Sequence, residues 1–106
     1  MPKYLIEASY TTEGVKGVQA GGGSARVEAV SAALESVGGH LESFHFGFGD
    51  HDAYVIAAAP DNVSAAAVAI TVNASGGAVA KTTVLLTPEE VDAAAKKSVG
   101  YRAPGS

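Results

Sequence analysis

Apolar and polar side chains alternate from Lys3 to Thr11, with Tyr4, Ile6, Ala8 and Tyr10 on one side and Leu5, Glu7 and Ser9 on the other. A period of two predicts a half-buried strand. Between Thr12 and Gly23 the pattern dissolves into a glycine-rich stretch. That is long for a connection, where about 4–6 residues is usual, so it is expected to be a functional loop or to carry a short helical turn. From Ser24, a good N-cap, Val27, Val30, Leu34 and Val37 recur at helical spacing, and Glu28, Ser31 and Glu35 occupy the opposite side. Gly38-Gly39 ends this first helix.

Two further strands are predicted at His40–Gly49 and Asp52–Ala59, joined by a tight turn at Gly49-Asp50-His51-Asp52. So short a connection makes the pair an antiparallel hairpin. Pro60-Asp61 opens a second helix, capped by Asp61 and running to about Ser75, ahead of Gly76-Gly77. Ala78–Leu86 reads as a fourth strand. Thr87-Pro88-Glu89-Glu90 then opens a short third helix, with a Thr cap, Pro in the first turn and acids at the positive dipole end. Lys96 and Lys97 close it, and the chain beyond Ser98 is expected to be irregular.

The order β-α-β-β-α-β with a terminal helix predicts an α+β, ferredoxin-like domain: a four-stranded antiparallel sheet with both main helices on one face. Residues 1–97 form the expected domain and 98–106 a C-terminal tail. One sheet face is then left open. The second helix sharpens this point, because no charged residue occurs from Asn62 to Ala80. If Val63, Ala66, Ala67 and Ile70 face the sheet, Ala65, Val68, Ala69 and Val72 point elsewhere, and a helix apolar on every side predicts burial on more than one side. A homo-oligomer, dimer or higher, is the expected state.

Composition points the same way. The 106 residues are 47% hydrophobic, but alanine supplies much of that, alongside 13 glycines, three Phe, four Tyr and no Trp. Burial is worth roughly 25 cal/mol per Å2, so small side chains give a thin margin that a partner subunit would widen. The formal charge is −4, and Lys3, Lys16, Arg26, Lys81, Lys96, Lys97 and Arg102 are scattered. Phosphate-backbone binding needs clustered cations, which argues against a nucleic-acid partner. No cysteine is present, which removes disulfides, thiolate nucleophiles and Cys-based metal sites. With no apolar run near the length of about 20 residues that spans a bilayer, no membrane partner is expected and a cytoplasmic location is the default.

The segment Gly39-His40-Leu41-Glu42-Ser43-Phe44-His45-Phe46-Gly47-Phe48-Gly49-Asp50-His51-Asp52 resembles the signature of the GYD-domain family of small bacterial proteins. Lys3-Tyr4-Leu5, Gly22-Gly23-Ser24-Ala25-Arg26, Val72-Asn73-Ala74-Ser75-Gly76 and Leu85-Leu86-Thr87-Pro88-Glu89-Glu90 are similar to that family as well. The chain departs at the naming motif, where His51 stands in place of the tyrosine expected before the aspartate. The resemblance implies a dimeric α/β-barrel type of assembly, with two sheets packed face to face. It implies no established activity and no cofactor. Relatives by fold include cofactor-independent monooxygenases, haem-degrading enzymes and chlorite-dismutase-like proteins, an analogy that does not carry function across.

Three constellations carry candidate chemistry. His45, Asp50, His51 and Asp52 are the densest titratable cluster, and two imidazoles with two carboxylates suit a divalent metal, although turns also favour Asp for local backbone capping. Strand parity sets Leu41, Ser43, His45 and Gly47 opposite Glu42, Phe44, Phe46 and Phe48. His45, with Tyr54 and Tyr10 as candidate pocket partners, would be a general base, or else a structural histidine. Arg26 lies in the first turn of the predicted first helix. With Gly23 and Ser24 it is a candidate anion site, the alternative being a salt bridge to Glu7, Glu28 or a neighbouring subunit. The expected function is a self-assembling binding or structural module. The alternatives are a cofactor-free enzyme or small-ligand binder with a pocket near His45, and a metal-binding hairpin.

Overall fold

The computed structural model describes residues 1–105. In chain order the elements are β1 (Lys3–Tyr10), α1 (Thr12–Ser36), β2 (His40–Phe46), β3 (Ala53–Ala58), α2 (Asn62–Ala74), β4 (Ala78–Leu85) and α3 (Pro88–Ala95). The strands form one antiparallel sheet in the order β2-β3-β1-β4, the α+β ferredoxin-like arrangement. Leu34 of α1 and Val68 of α2 meet Val55 and Ala57 of β3, with Ile6, Val30, Val37, Leu41, Phe44 and Val72 packed around them. Both helices therefore cover the same face. Apart from Tyr4, Leu34, Val55 and Val68, the buried apolar residues are alanines.

The glycine-rich stretch is helix, not loop. α1 starts at Thr12 rather than after Ser24, and the side chain of Thr11 caps it by accepting from the Gly14 N–H. Glycine costs about 1 kcal/mol per residue in a helix interior, so tertiary docking has overridden local preference. Thr11 donates its N–H to the Gly77 carbonyl and its hydroxyl to the Gly76 carbonyl. Gly14 lies so close to Gly77 that a side chain there would collide with the Gly77 carbonyl oxygen. The register break falls at Gly22, whose φ of 82° interrupts the helix and divides it in two.

α2 presents the opposite stripe to the one expected. Ala65 and Val68 are buried, whereas Val63 is 79% and Ile70 is 68% exposed. Both candidate stripes have the spacing i, i+3, i+4, i+7, so periodicity alone has no preference between them. Two asparagines about three turns apart, hence on one side of the helix, set the rotation. Asn62 accepts a 2.7 Å hydrogen bond from the Tyr4 hydroxyl. Asn73 closes a two-way clasp on Ala80, donating to its carbonyl and accepting from its N–H at 2.7 Å.

The hairpin also differs in detail. β2 ends at Phe46 and β3 begins at Ala53, so the connection is longer than the tight turn predicted. A register shift between Leu41 and Ser43 moves Leu41 onto the core face with Phe44, and Glu42 onto the open face, where it meets Lys3 at 3.2 Å. A bulge of this kind reverses strand parity, which is why simple alternation misassigned both residues.

α3 carries the expected Thr87 cap, which closes into a capping box with Glu90, yet none of its residues is buried. Residues 98–105 carry no helix or strand; Ser106, the last residue of the expected tail, lies outside the described residues. The radius of gyration is 16.8 Å and the long axis 56 Å, against roughly 13 Å for the radius of a compact chain of about 100 residues. Among the described residues no helix is long and apolar enough to cross a membrane.

Candidate functional site

The candidate residues separate onto two faces of one sheet. In antiparallel pairing, partners directly opposite share a face. Tyr10 pairs with Ala78 on the helix side, while His45, Tyr54, Glu7 and Lys81 form a continuous row across the open side. The pocket expected to unite His45, Tyr54 and Tyr10 is therefore divided by the sheet itself.

On the helix side, a cleft of about 290 Å3 opens where Tyr10, Gly14, Arg26, Thr71, Ser75 and Gly77 come together. It exists because glycines and small residues line the start of α1 and the turn before β4, leaving space that larger side chains would fill. Behind it lies a smaller chamber of about 50 Å3, walled by apolar side chains including Ile6, Val30, Phe44 and Val72. Tyr10, Arg26, Val72 and Ala78 border both spaces.

Among the described residues Arg26 is the only charged side chain in either lining, and no carboxylate shares the lining with it. Its Nε is buried without a hydrogen-bond partner, and no ion pair to Arg26 occurs among the described residues. Leaving a buried donor unpaired costs about 1–3 kcal/mol, more for a charged group. The salt bridge to Glu7 or Glu28 expected as an alternative is not formed. Glu7 lies across the sheet, and Glu28 is exposed on α1. Gly23 and Ser24 do not join Arg26 at the cavity. Gly23 instead lies under the ring of Phe46, where a Cβ would come within 2.9 Å of the ring, and Ser24 is exposed.

The Thr71 and Ser75 hydroxyls of the cleft are already committed. Thr71 donates to the Ala67 carbonyl at 2.8 Å, and Ser75 donates to the Val72 carbonyl at 2.6 Å. Each thus offers lone pairs rather than a proton to anything in the cleft. Thr71, Ser75 and Gly14 were missed as site residues from the sequence. The pair of glycine clusters around Gly14 and Gly77 was the one signal that something packs or binds there closely.

On the open side, the hairpin loop folds against the sheet. Asp52 accepts from the Tyr10 N–H at 2.8 Å and donates its own N–H to the Ala8 carbonyl. That anchor carries His51 over β1, with Nδ1 3.2 Å from the Ser9 hydroxyl, Nε2 3.6 Å from Glu7 and its ring edge-on to Tyr54 at 6.0 Å. Phe48 adopts φ 56°, a conformation costing on the order of 1–2 kcal/mol outside glycine; its ring stacks on Phe46. His45 and Asp50 are exposed. With the Asp52 carboxylate engaged by backbone, the four hairpin residues do not converge. Among the described residues no group of three or more His, Asp or Glu side chains is placed to hold a metal ion.

The family model of the GYD domain matches residues 4–95. That span takes in all four strands apart from Lys3 of β1, both covering helices, the cleft and the hairpin loop. No curated protein matches the chain, and no solved structure does.

Proposed function

The chain belongs to the GYD-domain family, and we propose that it is a self-assembling small-ligand-binding module. The ligand occupies the cleft between helices and sheet, and a second copy covers the open sheet face. The observation that carries the binding half is the cleft of about 290 Å3, near the lower end of the roughly 300–1,000 Å3 usual for ligand pockets, bordered by Arg26, which has no ion-pair partner among the described residues. Binding is favoured over proton-transfer catalysis because neither cavity carries an imidazole or a carboxylate. His45 and His51 lie across the sheet from it.

Assembly is supported by the mixed character of the open face, where Leu5, Ile56 and Leu85 stand half-buried among Glu7, Tyr54 and Thr83 and Val79 is 59% exposed. A face of that kind packs on its own copy in the sheet-to-sheet manner that the resemblance implies.

The test is a fragment screen by protein NMR on the full chain and on Ala78→Leu, which adds bulk where both cavities meet. Fragments should move the amide signals of Tyr10, Val72 and Ala78 in the natural chain and leave Ala78→Leu unmoved. A screen without binders at these positions overturns the binding half. A monomer by sedimentation at micromolar concentration overturns assembly.

A further inference from the structure

We propose that the ligand is a small organic monocarboxylate, its carboxylate paired with Arg26 and its short apolar end in the inner chamber. This rests on the reading of the cleft as a binding site and names what that site selects.

Charge comes first. Arg26 is the sole ionised side chain lining the two cavities, so a ligand that neutralises it carries one negative charge. A neutral ligand leaves the cation unpaired, and a cationic one adds repulsion. A dianion such as phosphate would need a second cation or several further donors, and the lining lacks them. Thr71 and Ser75 have given their protons to helix carbonyls, which leaves the Tyr10 hydroxyl as the one uncommitted side-chain O–H in the cleft.

Geometry narrows the anion further. A guanidinium presents its donors in a planar fork that matches a planar carboxylate through two parallel hydrogen bonds. Arg26 borders both cleft and chamber, and the two terminal nitrogens of a guanidinium form such a fork. A carboxylate seated there directs the rest of its molecule either outward or into the chamber. The chamber is walled by Ile6, Val30, Phe44, Val55, Val68 and Val72, a lining that rewards hydrocarbon and penalises a polar tip. Its volume of about 50 Å3 admits a short branched or ring-edge terminus rather than a long chain.

Titration calorimetry on the full chain tests this. Benzoate and isovalerate are compared with their neutral isosteres benzamide and isovaleramide, and with inorganic phosphate, on the natural chain, Arg26→Gln and Arg26→Lys. The acids should bind the natural chain at least tenfold more tightly than the amides, and phosphate should bind more weakly than either acid. Arg26→Gln should erase the difference between acid and amide, while Arg26→Lys keeps part of it because the charge remains without the fork. Equal binding of acids and amides to the natural chain overturns the ligand class yet leaves the cleft a binding site. Phosphate binding as tightly as the acids also overturns the class. If neither acids nor amides bind, the reading of the cleft falls with it. Should Arg26→Gln fail to fold, the acid-to-amide ratio on the natural chain alone decides the ligand class.

Discussion

On the helix side of the sheet, Ile6, Phe44 and Val55 meet Leu34 and Val68 in an apolar layer, and the one charge admitted, Arg26, has no partner. Across the same strands, the open side is mixed, and its polar groups are largely paired with one another: Lys3 meets Glu42 at 3.2 Å, and His51 sits between Ser9 and Glu7. The hairpin carries more titratable groups than any other stretch, yet each that is not exposed is engaged by its own fold. The arginine is the better pointer to a ligand, because an unpaired buried donor costs stability that a partner would recover, whereas a dense but mutually paired cluster needs nothing further.

The contrast between the faces breaks most visibly at the core. Leu34→Ala should lower unfolding free energy by about 2–5 kcal/mol, read from urea titration, since Leu34 is buried where both helices meet the sheet. Leu5→Ala on the open face should cost less than half of that in the dilute chain. A Leu5→Ala loss that grows with protein concentration would mark a second copy covering that face.

Next comes the anchor that ties the loop to the sheet. Asp52→Ala removes the acceptor of the Tyr10 N–H and should cost about 1.5 kcal/mol, discounted for partial exposure. Faster hydrogen exchange at the Tyr10 amide would report the lost bond directly. If exchange at Tyr10 is unchanged, the loop is held some other way.

At the mouth of the cleft, two glycines of one helix should respond with opposite signs. Gly14→Ala drives a methyl into the backbone of Gly77 and should destabilise by about 1–3 kcal/mol. Gly17→Ala meets nothing within 4 Å and should stabilise by about 0.5–1 kcal/mol. Thermal unfolding of the two variants measures both.

The smallest effect concerns pH. Hydrogen bonds from Ser64 hold the Asp61 carboxyl below its ordinary value. A depressed carboxyl stabilises the fold above its unfolded pKa, and that contribution is lost as pH falls through the folded value. Asp61→Asn keeps a capping oxygen and should flatten this acid limb of the stability curve; an unchanged limb would assign the acid sensitivity to other carboxylates.

Local physics made much of the fold legible in the chain. Asp61 and Thr87 cap the helices they were expected to cap, and both do so because a short oxygen-bearing side chain ahead of a helical run accepts from an N–H two or three residues on. Strand alternation, the α+β order and the kinship with the GYD domain were legible for the same reason: they follow from neighbours along the sequence. Arg26 stood out too, as a cation in the first turn of the predicted first helix beside a glycine-rich segment.

Tertiary structure decided what neighbours in space control. Docking of Gly14 on Gly77 made a helix of a glycine-rich stretch, and Asn62 and Asn73 chose between two equal stripes on α2. A bulge at Leu41–Ser43 reversed strand parity, and the sheet set His45 and Arg26 on opposite sides. Periodicity states which residues share a face, but which face turns inward depends on contacts between segments distant in sequence, and those exist only once the chain has packed.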